Sequence, residues 1–360
     1  MIGVVTTSYP RFADDSAGVF VRERVRALVA EGHQVEILAA GDSAFCHDGM
    51  VTRISAGRLF YSGGAPEALE ETGHSRLASW GEAVGFSLAM LEQLARRTGR
   101  WDAVESHWLV PCGFAVAAAL PGLPHRAHVH GGDLHLLRRL PFADSLARVL
   151  CRTHPELVFA SAALRDGFCA LAGATPASLG AASRVEAAPF DKSLFYRASA
   201  EERLQARAQL GFDRTTLLAA GRLVPIKGFD VLLAAVGRLS PASRPVVVIA
   251  GEGPEGERLA RLARVAAIDL RLPGLLGQRA LACHMAAADL FVHPCRTLDR
   301  GRSEGMPLVV REALARGLPV IASASGGLVE LRGENGLTLV EAADAGALAA
   351  ALTRARGGVG

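Results

Sequence analysis

The feature that most constrains the fold is an alternation of short apolar runs with longer helical stretches, repeated in both halves of the chain. The runs IGVVTT (2–7) and VEILAA (35–40) have the length of buried strands, and the stretch between them carries valines and leucines at helical spacing. The same alternation restarts at LLAAG (217–221). Strands that alternate with helices predict α/β domains with parallel, doubly wound sheets and right-handed crossovers.

The length of the chain predicts two such domains. At 360 residues it is about twice a typical domain. The pattern shifts near Phe195, where PFDKSLF leads into a polar helix. We therefore predict an N-terminal Rossmann-like domain over residues 1–195 and a second over 196–340. A terminal helix in 341–360 is free to pack on either domain, including back on the first.

Composition excludes several classes of function. The net charge of +3 is too small to indicate nucleic-acid binding. The six cysteines form no C-x-x-C pair, which argues against a zinc site and a disulfide framework. The start, MIGVVTTSYP, lacks the basic flank and apolar core of a signal peptide. We expect a soluble, cytoplasmic protein with reduced thiols.

The stretch RSEGMPLVVREALARGLPVIA (302–322) predicts a site for phosphate and sugar. Pro307 suits the first position of a helix. The free N–H groups and the dipole at that helix start favour an anion. Glu312 falls about one turn inside the helix, where its carboxylate can accept hydrogen bonds from sugar hydroxyls, and Glu304 lies in the preceding loop. A capped surface helix with ordinary acidic residues is the alternative.

A second motif, GRLVPIKGFDVLL, places two cations beside a strand end. Arg222 leaves the strand, and Lys227 follows just before a glycine and a helix. Lysine is rare in this chain and otherwise occurs only at Lys192. A planar guanidinium and a compact ammonium that converge suit a diphosphate. An ordinary pair of surface cations remains the alternative.

Glycines occur in the turns that follow three of the predicted strands. GEGPEG, from Gly251 to Gly256, fits the dinucleotide fingerprint, but its two glutamates would repel a pyrophosphate and its proline removes an N–H donor, so we interpret it as a turn that lines a ligand site. HGGD places His130 and Asp133 at a strand's carboxyl end, where open α/β sheets bind ligands. Gly18 could let the first loop approach a ligand closely, or be a flexible loop residue.

These segments together resemble the family 4 glycosyltransferases of the GT-B fold, of the bacterial cell-envelope or exopolysaccharide type. The donor-binding half is similar in GRLVPIKG, GEGPE, ADLFVHP, SEGMPLVVREALARGLPVIAS, GGLVE and ENGLTLV, in that order. The acceptor-side half is similar in TTSYPRFADDSAGVFVRERVRALVAEGHQVEIL, HWLVPCG and HVHGGDLH. The resemblance covers nearly the whole chain, but the region 41–75 has no match. It implies two Rossmann-like domains that face each other across a cleft.

The resemblance implies a retaining hexosyltransferase that moves a sugar from a nucleotide-sugar to a glycan or lipid-linked acceptor. Arg222 and Lys227 would stabilise the leaving diphosphate, and Glu312 would hold the ribose. Glu304 would contact the transferred sugar, which His130 approaches from the other domain. Asp133 would orient His130 or the acceptor, or cap the chain. The other residues implied to bind the donor are Gly18, Gly251, Gly305, Met306, Pro307 and Leu308.

The resemblance also implies that no metal and no cofactor are needed, which agrees with the lack of a plausible Asp-x-Asp set. Two alternatives stay open: a nucleotide-sugar epimerase or hydrolase of the same architecture, and a non-catalytic two-lobed sugar-binding protein. The segment LHLLRRLPFADSLARVL (134–150) mixes arginines with apolar residues. Pro141 interrupts this segment, which favours an ordinary core-facing helix; the alternative is peripheral contact with the inner face of the membrane.

Overall fold

The chain divides into two compact units, Met1–Pro189 and Phe190–Gly360. The computed structural model describes residues 1–42, 49–55, 76–153, 156–298 and 302–357. The division falls after Pro189, a few residues before the boundary predicted at 195. Much of the unmatched region 41–75 lies outside the described residues.

The first unit is built on a parallel sheet with the strand order β3-β2-β1-β4-β5-β6-β7. Its strands are β1 (Ile2–Thr6), β2 (Val35–Ala40), β3 (Val51–Ile54), β4 (Ala103–His107), β5 (His125–Val129), β6 (Glu156–Phe159) and β7 (Ser183–Val185). Its helices among the described residues are α1 (Val19–Ala30), α2 (Arg76–Ala95), α3 (Phe114–Ala119), α4 (Gly132–Leu137), α5 (Ala143–Thr153), α6 (Ala162–Ala172) and α7 (Pro176–Leu179).

The second unit repeats this plan with the order β10-β9-β8-β11-β12-β13, again parallel throughout. Its strands are β8 (Thr216–Ala220), β9 (Val246–Ala250), β10 (Leu270–Arg271), β11 (Leu290–His293), β12 (Val320–Ser323) and β13 (Leu337–Val340). Its helices among the described residues are α8 (Ala200–Leu210), α9 (Phe229–Gly237), α10 (Gly256–Val265), α11 (Gln278–Ala287), α12 (Leu308–Ala315) and α13 (Ala345–Gly357).

The strand β9 shows why both faces of this sheet must be covered. Val246 and Val248 pack into one core, whereas Val247 and Ile249 pack into the core on the opposite face. Successive side chains of a strand point to opposite faces, so a wholly apolar strand needs helices on both. The predicted doubly wound sheets are thus confirmed.

The terminal helix α13 packs within the second unit. Its Leu348 and Leu352 are buried with Leu232 of α9 and Val340 of β13. Of the two positions predicted for this helix, the structure shows the one on the second domain. No helix in the described part of the chain combines the length and apolar character that crossing a membrane requires.

Candidate active site

The carboxyl edge of the second sheet brings the predicted cations to one of the predicted glutamates. Arg222 follows β8, and Lys227 ends the single helical turn Pro225–Lys227. The Nζ atom of Lys227 lies 3.0 Å from each carboxylate oxygen of Glu304. These side chains are 14% and 16% exposed, so the ion pair is largely shielded from water. Residues 77 positions apart in the chain therefore meet.

The electrostatic surroundings keep Glu304 ionised. Burial by itself would raise the pKa of its carboxyl group, but the charge of Lys227 and the hydrogen bond from Lys227 outweigh burial. Arg222 adds a further favourable charge, and the pKa of Glu304 lies below its ordinary value. Lys227 and Arg222 thus both favour the ionised form of Glu304.

Two glycines after β12 fix the loop that carries Glu304. Gly326 has φ +55°, and a Cβ there would overlap the carbonyl oxygen of Glu304. The amide of Gly327 donates to the carbonyl of Gly305 at 2.8 Å. The loop and the GGLVE segment are therefore packed backbone to backbone, which only glycine permits.

The helix α12 begins one residue later than predicted. Its first residue is Leu308, and Pro307 precedes it in an extended conformation (φ −64°, ψ 117°). Pro307 thus occupies the N-cap position, with a non-helical ψ. The prediction that it would be the first helical residue was wrong by one position. Within α12, the amides of Leu308 and Val309 have no carbonyl four residues back to bond to. The helix start retains the donors expected of an anion site.

Glu312 lies one turn inside α12 and is 2% exposed. Its Oε1 atom is buried without a hydrogen-bond partner among the described residues. Burial raises the pKa of Glu312 to about 8, and the neighbouring charge of Arg311 only partly opposes this. A buried carboxyl oxygen that lacks a partner is the kind of group that a ligand hydroxyl can satisfy.

The glycines of GEGPEG have a packing role. A Cβ on Gly251 would overlap the carbonyl of Gly221, and one on Gly253 would overlap the carbonyl of Leu223. Gly251 and Gly253 have φ of +143° and +155°. The turns after β8 and β9 are thereby held in contact beside Arg222, which explains the dinucleotide-like spacing without a dinucleotide.

His293 is a residue of this edge that sequence reasoning missed. It ends β11, is fully buried, and neither ring nitrogen has a hydrogen-bond partner among the described residues. Burial, with the charge of Lys227, lowers the pKa of His293 to about 3, so its ring is neutral. The motif ADLFVHP carried the signal, since a histidine that ends an apolar strand falls at the ligand-binding edge.

In the first unit, His130 follows β5 and sits among aromatic rings. Its ring centroid lies 4.6 Å from that of Phe20 and 4.8 Å from that of Trp108. His130 Nε2 lies 3.1 Å from Nδ1 of His107, at the end of β4. Burial and the charge of His128 lower the pKa of His130 to about 3, so its ring is neutral too. The rings of Phe20, His107 and His130 line a small pocket.

The side chain of Asp133 accepts hydrogen bonds from backbone amides and makes none to the ring of His130. Its buried carboxylate accepts the amides of Leu109 at 2.9 Å, Gly131 at 2.8 Å and Leu134 at 3.0 Å, and more weakly that of His130. Burial raises its pKa and these amides oppose the rise. Of the roles predicted for Asp133, the structure shows the capping one, in which it fixes the turn that carries His130.

Gly18 precedes α1 with φ +66°. A Cβ there would overlap the carbonyl of Ser8 and crowd Tyr9. The close approach that this glycine permits is therefore between the first loop and the start of α1.

Glu105, His107 and His128 form a group with the composition of a metal site, with their ligand atoms within 4.8 Å of one another. Glu105, however, already accepts both Arg24 nitrogens, at 2.9 and 2.6 Å, and Arg126 at 3.0 Å. The rings of His107 and His128 are stacked, with an interplanar angle of 7°. Lone pairs in parallel planes do not converge on one ion, and a cation would have to displace two guanidinium groups.

Comparison with known proteins follows the division into units. Residues 17–179 match the family model described as Glycosyltransferase Family 4, and residues 214–356 match Glycosyl transferases group 1. A D-inositol 3-phosphate glycosyltransferase of Catenulispora acidiphila is 30% identical over 91% of this chain and 79% of its own. The chain belongs to the family 4 glycosyltransferases. The resemblance seen in the motifs is confirmed.

Further relatives extend this likeness. A GDP-mannose-dependent phosphatidylinositol monomannoside mannosyltransferase of Mycobacterium tuberculosis is 32% identical over 66% of this chain, and the match spans 64% of that relative. The structure of sucrose-phosphate synthase from Thermosynechococcus elongatus has a TM-score of 0.74, with 21% identity over 99% of this chain and 90% of its own. Anabaena HepE, solved with UDP, has a TM-score of 0.68, with 19% identity over the same shares. The two parallel-sheet domains are those of the GT-B fold.

Proposed function

We propose that this family 4 glycosyltransferase moves a hexose from a nucleotide-sugar to a glycan or lipid-linked acceptor, with retention of configuration at the sugar. The observation that carries this proposal is the meeting of Lys227, Arg222 and Glu304 at the carboxyl edge of the second sheet. Two cations at this edge, next to a helix start, match the charge of a diphosphate.

In this proposal the cations act when the bond between sugar and phosphate breaks. Negative charge then develops on the diphosphate, and preorganised donors stabilise it without reorganisation. Arg222 supplies a planar fork of donors, and Lys227, which the structure pairs with Glu304, supplies a compact charge. The amides of Leu308 and Val309 add donors to the same phosphates, and Gly251 keeps the neighbouring turn close.

The sugar and the ribose are held by the two glutamates in different ways. Glu304, ionised beside Lys227, accepts hydrogen bonds from hydroxyls of the transferred sugar, and the amides of Gly305 and Met306 donate to its oxygens. Glu312 offers its unpaired Oε1 to the ribose hydroxyls. His130, neutral at physiological pH, donates to the sugar from the first domain. Attack from the front face, with a phosphate oxygen taking the acceptor's proton, then needs no dedicated base.

GDP-mannose is the donor we propose to test first, and a phosphatidylinositol mannoside the acceptor. The support is the wording of one relative's name, a GDP-mannose-dependent phosphatidylinositol monomannoside mannosyltransferase. HepE was solved with UDP, so UDP-glucose is the second donor to test. We propose that the reaction needs neither a metal nor a cofactor, because Arg222 and Lys227 supply the positive charge that a metal would otherwise bring to the diphosphate.

The deciding experiment has two stages. A thermal-shift screen of GDP, UDP, ADP and their sugars identifies the donor, since a ligand of the native state raises stability by mass action. The donor, labelled in the sugar, is then incubated with and without acceptor, with and without EDTA. We expect label in the acceptor, unaffected by EDTA. Rapid turnover without acceptor would instead favour an epimerase or hydrolase, and binding without turnover a sugar-binding protein.

We also propose that the enzyme works in the cytoplasm and touches the inner face of the membrane through α5. The preceding Phe142 is 79% exposed and Val149 is 49% exposed, beside the half-exposed Arg148. Apolar side chains flanked by cations suit an anionic lipid surface. Flotation with phosphatidylglycerol vesicles tests this: we expect binding at low salt that is weakened by Phe142→Ser and by high salt. Equal recovery of both proteins without vesicles is the control, and no binding at low salt would refute the contact.

A further inference from the structure

A hydrogen bond between two imidazoles joins the ends of β4 and β5. Nδ1 of His107 lies 3.1 Å from Nε2 of His130, and the two rings are nearly parallel, with an interplanar angle of 9°. A neutral imidazole has one N–H and one acceptor nitrogen. The ring that donates in this hydrogen bond therefore determines which nitrogen of His130 carries its proton.

Both rings are neutral, so this choice is between two tautomers. Burial, reinforced by the charge of His128, lowers the pKa of His107 well below its ordinary value, although Glu105 on the same strand opposes this lowering. The charge of Arg24, which reaches Glu105 from α1, also disfavours protonation of His107. A doubly protonated ring would bury a charge near a guanidinium group and two other imidazoles, and Glu105 offsets this only in part.

The far nitrogen of His107 decides between the tautomers. Nε2 of His107 is buried and has no hydrogen-bond partner among the described residues. A proton on Nε2 would bury an unpaired N–H, which native proteins tolerate less readily than an unpaired acceptor. We propose that His107 donates its Nδ1–H to Nε2 of His130 and thereby fixes His130 in the tautomer that carries its own proton on Nδ1.

The consequence is that His107 acts as a positioning residue. With Nε2 occupied as an acceptor, His130 offers a single N–H donor, on Nδ1, and its ring is held in place by Phe20 and Trp108. Such a donor can bond a hydroxyl oxygen of the transferred sugar without a proton having to move first. This role rests on the proposed function for its use in catalysis, but the tautomer itself does not depend on any reaction.

The first test measures the tautomer directly. NMR of the full chain with side-chain ¹⁵N-labelled histidine, assigned with His130→Gln, should show a protonated Nδ1 and an unprotonated Nε2 for His130. In His107→Phe, which keeps a ring of similar size but removes the nitrogen, this preference should be lost. In His107→Asn, whose amide N–H falls where Nδ1 lay, it should be retained. A proton on Nε2 of His130 in the unchanged chain would overturn the proposal.

A matched control separates this hydrogen bond from general effects on the sheet. His125 is also buried, lies on β5 and bonds to Ser106 Oγ at 2.8 Å. His125→Asn should leave the His130 tautomer unaltered. If Nδ1 of His130 stays protonated in His107→Phe, then His107 does not fix the tautomer and the proposal fails.

The second test measures sugar transfer from GDP-mannose and UDP-glucose. For His107→Phe we expect kcat to fall roughly 10- to 100-fold, the loss typical when the partner that orients a functional histidine is removed. KM for the nucleotide-sugar should hardly change, and His107→Asn should recover most of kcat. Added to His130→Ala, His107→Phe should have no further effect. If the unchanged chain transfers no sugar but shows the Nδ1 tautomer, the proposed function fails and the positioning of His130 stands.

Discussion

The loop that carries Glu304 and the helix that carries Glu312 place the same side chain in opposite electrostatic surroundings. Both carboxyl groups are largely buried, and burial acts to raise the pKa of each. Glu304 lies against Lys227 and within the field of Arg222, and these two cations lower its pKa below the ordinary value. Among the described residues, Arg311 alone opposes burial at Glu312, and the pKa of Glu312 is about 8.

The difference shows how one edge of a sheet divides two tasks between identical residues. An ionised carboxylate paired with a cation fixes both groups in place for a charged ligand. A carboxyl group held mostly neutral near pH 7 can both donate and accept, which suits vicinal hydroxyls. Environments that push the pKa values of two like groups apart are typical of active sites.

The largest effect we expect is on the pH dependence of stability, from Glu312→Gln. An unfolded glutamate ionises near 4.5 and the folded Glu312 near 8, so between these values the unfolded state binds fewer protons and stability falls as pH rises. The ceiling on this loss is roughly 5 kcal/mol. Glu312→Gln removes it, so its thermal midpoint should exceed that of the unchanged chain at pH 8.5 and match it at pH 4.

A second substitution at the same residue separates the effect on stability from the effect on nucleotide binding. Glu312→Ala should weaken nucleotide binding about tenfold, the size of a lost hydrogen bond to a buried group, while kcat at saturating donor changes little. Glu257→Gln, a change at a side chain that is 94% exposed, is the matched control and should leave the pH profile of stability unaltered. A Glu312→Gln protein whose stability falls with pH as steeply as the unchanged chain would contradict the neutral carboxyl group.

The next effect is on turnover, from Lys227→Ala. We expect kcat to fall by about 10² or more, the loss seen when a preorganised charge-stabilising group is removed. Arg222→Ala should behave similarly.

Lys227→Ala should also change the acid sensitivity of the fold. Without Lys227, burial dominates at Glu304, whose pKa should rise towards that of Glu312. A lowered pKa stabilises the fold above pH 4.5, a contribution lost as pH falls through the folded pKa. Lys227→Ala should therefore be less acid-sensitive relative to its own stability at neutral pH.

The other lysine of the chain provides the control. Lys192 is exposed and lies in the segment that follows the first unit. Lys192→Ala should retain full turnover and the acid sensitivity of the unchanged chain. Normal sugar transfer by Lys227→Ala would end the assignment of this lysine to the diphosphate.

The fold was predictable because its signal is local and repeated. The strand β9 is apolar at every position, and it could only be buried on both faces between helices. The domain boundary and the first residue of α12 were less well predicted, since both depend on the conformation of single residues such as Pro307 rather than on a period. The packing of α13 on the second unit depends on tertiary contacts that its short apolar stripe does not specify.

The site was predictable where the strand ends bring charged residues to one edge. Lys227 and Glu304 could be expected to meet because each follows a strand of the same parallel sheet. The role of Asp133 and the bond between His107 and His130 could not, because they depend on the register that pairs His107 with His128 across β4 and β5. The sequence does not specify that register; it shows only that histidines lie at the ends of both strands. His293 differs, because the motif ADLFVHP placed it at the end of a strand and therefore at this edge.

The smallest effect we expect is from Arg311→Met, which removes the charge that opposes burial at Glu312. The guanidinium of Arg311 lies over the ring of Phe190 at 5.4 Å, and methionine keeps much of that apolar contact. Without the charge, the pKa of Glu312 should rise above about 8, so the loss of stability with pH should extend to more alkaline values. Measuring stability from pH 6 to 10 in the unchanged chain, Arg311→Met, Glu312→Gln and the double variant completes the cycle. Arg311→Met should shift the profile only while Glu312 is present, because glutamine has no proton to lose; an equal shift in both backgrounds would mean that another group titrates and that Glu312 is not the neutral member of the pair.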